Sequence, residues 1–182
     1  YKYVDLILGK QCQTNMGRGG IRPLEFKTFS KEMQNAITNY CQAGGNFFVS
    51  GAYVASDLWD NRLVKANEED KKFAMEVLKY KWRVGQAARN GKVKSVASPF
   101  PEITGSYTYY QDLNPESYVV ESPDALEPAA QGAFTILRYS ENNLSAGIAY
   151  KGNYKTCVLG FPFEAIRTVT ERELLMKAIL TF

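Results

Sequence analysis

The chain has 182 residues, 45% of them hydrophobic and 23% charged, a composition typical of one globular domain large enough to bury a core. It contains no histidine, which excludes imidazole chemistry, and its net charge of +3 is not gathered into basic clusters, which argues against a nucleic-acid partner. No run of about 18 apolar residues is present, so the sequence predicts no membrane span.

The first 60 residues follow the order strand, helix, strand, helix. A buried strand is predicted over residues 3–8, and Ser30 is the predicted N-cap of a helix over 31–42 that carries one apolar stripe. A second buried strand is predicted over 46–50, followed by a sharp turn into a helical segment over 52–60. This order is typical of a parallel sheet with crossover helices.

The next segment predicts a helix over 67–80, opened by three acidic residues that the helix dipole favours. Asn90-Gly91 then lies between two strand-like runs, 82–88 and 92–97. Asn-Gly between such runs is a strong hairpin signal. An antiparallel hairpin is therefore predicted here.

The last third of the chain is rich in predicted strands and ends in a helix. Residues 98–130 are rich in proline and tyrosine, with one short strand predicted over 118–121. A closing helix is predicted after a capping box, either Thr168 with Glu171 or Thr170 with Glu173. Three further strands are predicted over 133–139, 144–150 and 156–161.

The three cysteines, Cys12, Cys41 and Cys157, form no Cys-x-x-Cys pair and have no histidine partners. A zinc site is therefore not expected, and the sequence predicts neither a metal nor a cofactor. Cys41 and Cys157 fall on predicted apolar faces and are expected to be buried. The glycine-rich run Gly17–Gly20 matches no phosphate-binding pattern and predicts a loop.

Three stretches, 4–9, 47–53 and 146–164, resemble the class I glutamine amidotransferase-like family. The resemblance implies an α/β fold: a mostly parallel, flavodoxin-like three-layer sandwich, here with an antiparallel hairpin extension, forming a single domain over 1–182. It also implies that the family's first one or two strands lie upstream or are missing. Because the chain opens with Tyr1 and enters a strand pattern at once, we expect it to be part of a longer chain.

More narrowly, residues 3–60 and 121–182 resemble bacterial multidomain proteins that carry the name xanthan lyase. This resemblance implies a larger exported protein, placed outside the cell, in the periplasm or at the cell surface. The partners that it implies are neighbouring domains of the same polypeptide and a carbohydrate.

The amidotransferase-like family carries a cysteine on a sharp strand-to-helix turn and a His-Pro-Glu motif near its last core strand. Here the turn, which we call the elbow (Val49–Tyr53), has Ser50 and no cysteine, and Phe161-Pro162-Phe163-Glu164 stands where the second motif would fall. A thiolate paired with an imidazole is impossible in this chain. Glutamine amidotransferase activity is therefore excluded.

The elbow is still the best candidate site, because α/β sheets bind ligands beyond the carboxyl ends of their strands and a helix N-terminus offers free N–H groups. The alternative is a degenerate site in which Gly51 only permits the turn and Ser50 only caps the helix. The candidate catalytic residues are Ser50, Asp57 and Glu164. The candidate ligand-binding residues are Lys10, Gln11, Gly51, Tyr53, Tyr109 and Tyr110.

Tyr109 and Tyr110 enter this set because they lie in a proline-bounded, irregular segment. Exposed tyrosines there would stack on sugar rings, whereas buried ones would only cover a sheet edge. Three functions stay open: a non-catalytic accessory domain of a polysaccharide-handling protein, a polysaccharide lyase or hydrolase using tyrosine and carboxylates, and a small-molecule or anion-binding module. The sequence favours the first over an enzyme.

Overall fold

A computed structural model describes residues 1–16, 24–60 and 65–182, so the predicted loop at Gly17–Gly20 lies outside the described residues. The strands are β1 (Tyr3–Ile7), β2 (Thr14–Met16), β3 (Leu24–Phe26), β4 (Asn46–Ser50), β5 (Tyr80–Val84), β6 (Lys92–Ser95), β7 (Ser106–Thr108), β8 (Ala125–Pro128), β9 (Ala133–Tyr139), β10 (Ser145–Lys151) and β11 (Lys155–Leu159). The helices are α1 (Lys31–Gln42), α2 (Ser56–Trp59), α3 (Glu68–Phe73) and α4 (Val169–Thr181), with a π-helical turn at Ala74–Leu78 and a 3-10 turn at Phe163–Ala165.

Seven strands form the main sheet in the order β1-β4-β11-β10-β9-β6-β7. β1, β4 and β11 run parallel to one another, and every neighbouring pair from β11 to β7 is antiparallel. Two small antiparallel pairs, β2 with β3 and β5 with β8, lie outside this sheet. The protein is therefore a mixed, strand-rich α/β structure.

The prediction of a mostly parallel, flavodoxin-like three-layer sandwich is wrong. Among the strands of the described residues only the pairs β1–β4 and β4–β11 are parallel, and the antiparallel strands are the larger part of the sheet rather than an extension of it. The physical reason lies in the connections after residue 139. Short turns join β9 to β10 and β10 to β11, and a parallel connection needs a crossover of a dozen or more residues.

The predicted hairpin over 82–97 is also wrong. β5 pairs with β8, and β6 lies between β9 and β7. The Asn-Gly turn instead packs against another segment: the N–H of Tyr109 donates to the carbonyl of Gly91 at 2.8 Å. The predicted strand over 118–121 is irregular in the structure.

The helix termini agree closely with the sequence signals. Ser30 caps α1 through its hydroxyl, which accepts from the N–H of Met33. Of the two capping boxes, Thr168 with Glu171 opens α4. The helix predicted over 67–80 divides into α3 and the π-helical turn and ends at Lys79, which is left-handed with φ 69°.

The core lies on both faces of the sheet because side chains alternate along each strand. On one face Phe48 and Leu159 pack with Leu175 and Ile179 of α4. On the other, Val49 and Val158 belong to the apolar cluster that includes α1. The parallel strands β4 and β11 are thus covered on both sides, and their carboxyl ends lie beside the elbow.

Candidate functional site

The elbow follows β4 at the carboxyl end of the parallel strands. Ser50, its first polar residue, is fully buried, and its hydroxyl accepts from the N–H of Phe163 at 3.3 Å. Gly51 and Ala52 donate their N–H groups to the carbonyls of Leu159 (3.3 Å) and Gly9 (2.8 Å). The hydroxyl and these amides therefore hold neighbouring loops rather than a ligand.

Space at the elbow is equally limited. A Cβ added at Gly51 would lie 3.0 Å from the Cβ of Leu8 and 3.4 Å from the carbonyl oxygen of Gly9. A side chain at position 51 would therefore fit only if Leu8 moved by a few tenths of an ångström.

The N–H groups at the start of α2, those of Ala55 and Ser56, donate to a carboxylate of the chain itself. The Oδ2 atom of Asp124 accepts from the N–H groups of Ala55 and Ser56, both at 2.8 Å, and from the Ser56 hydroxyl at 3.1 Å. Its Oδ1 atom accepts from the indole N–H of Trp82 at 3.1 Å. Asp124 thus occupies the position that an anionic ligand would take at the start of α2, directly after the elbow.

Asp124 is fully buried, and this burial raises its carboxyl pKa to about 7, although its hydrogen bonds act in the opposite direction. Sequence reasoning missed this residue. It lies 69 and 68 positions from Ala55 and Ser56 and 42 from Trp82, and it follows an irregular segment, so no local pattern marks it.

Asp57 is likewise a structural carboxylate. It is fully buried, and its two oxygens accept from the N–H groups of Gln13 (2.7 Å) and Phe29 (3.3 Å). Burial raises its pKa, while these hydrogen bonds and Lys27 lower it. The structure does not bring Asp57 together with Glu164, since the two share no hydrogen-bond partner among the described residues.

Glu164 lies instead beside β1. Its Oε1 atom accepts from the hydroxyl of Tyr118, while its buried Oε2 atom has no hydrogen-bond partner among the described residues. Glu164 also lies near Asp5. The pKa of Asp5 is raised to about 6, mainly because its carboxyl group is partly buried and to a smaller extent because of the negative charge of Glu164. We call Asp5, Tyr118 and Glu164 the acidic cluster.

Lys10 lies near Tyr53 and beside Tyr118 of the acidic cluster. The Lys10 ammonium forms an ion pair with Glu121 at 2.6 Å and lies over the ring of Tyr118, 5.7 Å from its centre. Burial raises the pKa of the Tyr53 hydroxyl, and a hydrogen bond with Ser122 lowers it. Gln11 has an exposed side chain and donates its N–H to the Leu8 carbonyl.

Tyr109 and Tyr110 are both buried. Tyr109 is 1% exposed and stacks on Phe161 with 5.0 Å between ring centres. Tyr110 is 8% exposed, donates its hydroxyl proton to Glu116 and lies beneath the Arg167 guanidinium. Neither ring presents a face on which a sugar would stack.

The described residues contain no group of three or more metal-ligating side chains. Within the same ranges no helix is long and apolar enough to cross a bilayer. Cys41 and Cys157 are buried thiols whose pKa values are raised, that of Cys41 to about 11, because burial disfavours the thiolate.

No protein-family model matches the chain, and neither does any curated protein. Among solved structures it is similar to a β-galactosidase from Rahnella sp. R3, with 14% identity, a TM-score of 0.52 and coverage of 83% of this chain and 20% of that one. Another is the exo-β-1,4-mannosidase Op5Man5 from Opitutaceae bacterium strain TAV5, with 10% identity, a TM-score of 0.46 and coverage of 83% and 22%. The N-terminal domain of mmIFT52 has 15% identity, a TM-score of 0.43 and coverage of 84% and 71%.

At these identities the likeness concerns the fold alone. The chain spans about a fifth of the length of the β-galactosidase and of the mannosidase.

Proposed function

We propose that this chain is a non-catalytic accessory domain of a larger exported protein that acts on cell-envelope or environmental polysaccharide. The observation that carries the proposal is that the polar groups of the elbow and of the start of α2 bind the chain itself: the Ser50 hydroxyl accepts from Phe163, and Asp124 accepts from the N–H groups of Ala55 and Ser56. The β-galactosidase supports the association with carbohydrate, because a similar fold makes up about a fifth of that longer chain. The proposed partners are neighbouring domains, and the proposed location is extracellular, periplasmic or at the cell surface.

The chemistry of the elbow supports the absence of catalysis. A nucleophilic serine needs a base within hydrogen-bond reach, and the Ser50 hydroxyl accepts a backbone N–H in a chain without histidine. Asp57 would have to give up two backbone hydrogen bonds before it met a substrate. Both residues stabilise the turn instead.

The test is an activity screen of the purified chain. A panel of polysaccharides, xanthan included, is incubated with the protein, and reducing ends and unsaturated uronic ends are measured. We expect no release above the level of heat-denatured protein. Release that depends on the native protein and is lost in Ser50→Ala or Asp57→Asn would overturn the proposal.

A second candidate, a polysaccharide hydrolase or lyase, is favoured by the acidic cluster. Glycoside hydrolysis uses two carboxyl groups that flank the scissile bond, and a lyase often uses a tyrosine as base. Asp5, with a pKa near 6, lies close enough to Glu164 to feel its charge, and Tyr118 donates to Glu164. In the same screen, activity lost in both Glu164→Gln and Tyr118→Phe would favour this candidate over the accessory domain.

The third possibility, an anion-binding module at the elbow, has no such support. Asp124 already neutralises the helix N-terminus there. Adding phosphate or acetate should leave the amide resonances of Ala55 and Ser56 unmoved in an NMR titration.

A further inference from the structure

The strand β1 lies at one end of the main sheet and has a free edge. The N–H of Leu8 donates to Ser50 at 2.9 Å, and the carbonyl of Lys2 accepts from Asn46 at 3.1 Å, so the even-numbered residues bond toward β4. The alternation of a strand then directs the N–H and C=O groups of the odd-numbered residues, Tyr3, Asp5 and Ile7, outward. No strand of the described ranges pairs with them.

The face of β1 that carries Asp5 and Ile7 is only partly covered. α4 packs over β4 and β11, through contacts such as those of Leu175 and Ile179 with Phe48. β1 lies beyond this helix, and Ile7 is 49% exposed on the face that α4 would have to reach. In most sheets an apolar side chain on the same face as a packed helix, as Ile7 is here, is covered by that helix or by another element.

The flank of α4 that faces the free edge is apolar. Met176 and Leu180 line both the groove between α4 and β1 and the outer groove of the helix. Val169 and Leu180 are 59% and 47% exposed. Ile7 on β1 is a further exposed apolar side chain, and we call these four residues of β1 and α4 the edge surface (Ile7, Val169, Met176 and Leu180).

The charge next to the middle of β1 is negative, whereas Lys155 lines the groove towards α4 and Arg172 and Lys177 line the outer groove of that helix. Asp5 keeps a solvent-accessible surface on β1, although the protein around its carboxyl group raises its pKa and the charge of Glu164 adds to that rise. Neither carboxylate forms an ion pair with a described residue. A cationic side chain placed next to Asp5 would therefore be attracted by two carboxylates.

We propose that the free edge of β1 accepts a further β-strand, supplied by a polypeptide segment outside this chain, with apolar side chains that cover the edge surface and a lysine or arginine beside Asp5. This inference goes beyond the accessory role, because it names the docking surface and the chemistry of what docks. Backbone hydrogen bonds to Tyr3, Asp5 and Ile7 supply affinity, and the alternate side chains supply specificity.

A second copy of the chain is the wrong occupant on electrostatic grounds. When two β1 strands pair antiparallel, the registers that keep most of the strand paired place the two Asp5 residues opposite each other or two positions apart. Like charges facing each other across a strand pair are destabilising. Each copy would also bring its Glu164 to the same surface.

The test uses a nine-residue peptide in which valine and threonine alternate around a central lysine, so that valine and lysine share one face. Binding to the purified chain is measured by fluorescence anisotropy. We expect the lysine peptide to bind about 3- to 10-fold more tightly than the same peptide with a central glutamate. Asp5→Lys should reverse this preference.

Two controls distinguish the pairing of backbone groups along β1 from simple electrostatic attraction of the peptide to the acidic residues. Ile7→Pro removes one outward N–H without touching the bonds to β4, and it should abolish binding while the far-UV circular dichroism stays unchanged. A peptide methylated on alternate backbone nitrogens should fail to bind. Equal binding of the lysine and glutamate peptides, no binding of either, or self-association through β1 in sedimentation would overturn the proposal. None of these results bears on whether the elbow is catalytic.

Discussion

At the scale of single residues, the position of Asp124 explains how the elbow keeps its shape without a ligand. Backbone N–H groups at a helix start favour an anion, and they cost free energy when buried without a partner. Asp124 supplies that anion from a distant loop and also binds Ser56 and Trp82 through side-chain donors. One carboxylate therefore ties the elbow, β5 and the segment before β8 together.

Removing this carboxylate should be costly. We expect Asp124→Ala to lower the free energy of unfolding by about 3 kcal/mol, because it leaves several buried donors unsatisfied. Urea denaturation measures the change. Asp112→Ala is the matched control, since its ion pair with Arg167 is exposed and should contribute less than about 1 kcal/mol. Equal losses in the two variants would contradict the role given to Asp124.

The buried charge of Asp124 also makes stability depend on pH. Its pKa is about 7 in the folded state and about 3.9 in an unfolded chain, so the folded state binds the extra proton between these values. The free energy of unfolding must then fall as pH rises through this window.

Asp124→Asn removes the titrating group and keeps its shape. We therefore expect its stability relative to the wild-type protein to improve by about 2 kcal/mol between pH 5.5 and 8. Urea denaturation at both pH values gives the comparison. A constant difference between the two proteins would show that Asp124 stays ionised throughout.

Asp5 offers a direct check on the acidic cluster. Its carboxyl should titrate near pH 6 in an NMR experiment, because burial and the charge of Glu164 both disfavour ionisation. Glu164→Gln removes that charge and should move the pKa of Asp5 downward, but not fully to its ordinary value. Glu102→Gln, a change at an exposed site, serves as the control and should leave the titration unchanged. An unshifted Asp5 in Glu164→Gln would mean that the two carboxylates do not interact.

At the scale of elements, the end of β11 is fixed by its approach to the segment before β8. Gly160 follows β11, and the N–H of Asp124 donates to its carbonyl at 2.7 Å. A Cβ at Gly160 would overlap the carbonyl oxygen of Asp124, which is backbone and cannot turn aside. Glycine is needed here for space.

Gly160→Ala should therefore destabilise the protein by about 3 kcal/mol, since the two segments must move apart. Gly85→Ala is the matched control in the same region, because its Cβ would lie 3.6 Å from the Asp124 carboxylate, an ordinary contact. Thermal denaturation distinguishes the two variants. A Gly160→Ala protein as stable as Gly85→Ala would show that the close approach can relax.

The elements with strong local signals were predictable, and the long-range pairings were not. The bounds of α1, β4 and β9 follow from capping residues and apolar runs, and the parallel arrangement of β1 with β4 follows from their order with α1. Nothing local specifies that β6 pairs with β9 or that β5 leaves the main sheet. Such pairings depend on which distant strands share a buried face.

The candidate site shows the same division. The sequence predicted that Lys10 and Tyr53 are neighbours, because they follow the carboxyl ends of the adjacent strands β1 and β4. It missed Asp124 and Tyr118, which reach the site from the irregular region between β7 and β8. Residues in such a region have no period from which their position can be inferred.

At the scale of the whole molecule, β4 and β11 support two apolar clusters, one on each face of the sheet. Val158 and Leu159 are neighbours on β11, both fully buried, and their side chains enter opposite clusters. Because the same strands form the floor of both clusters, loss of either should unfold the whole sheet. The described structure therefore predicts a single cooperative transition.

Val158→Ala and Leu159→Ala test this coupling. We expect losses in the free energy of unfolding of about 1–3 kcal/mol for the valine and about 2–5 kcal/mol for the leucine. Trp82 packs against the cluster of Val158, so its fluorescence reports on one face, while far-UV circular dichroism reports on the sheet. Both probes should give one midpoint in each variant, and Leu113→Ala, at a 93% exposed site, should leave that midpoint unchanged. If Leu159→Ala lowered the dichroism midpoint but not the fluorescence midpoint, the two faces would be separate folding units.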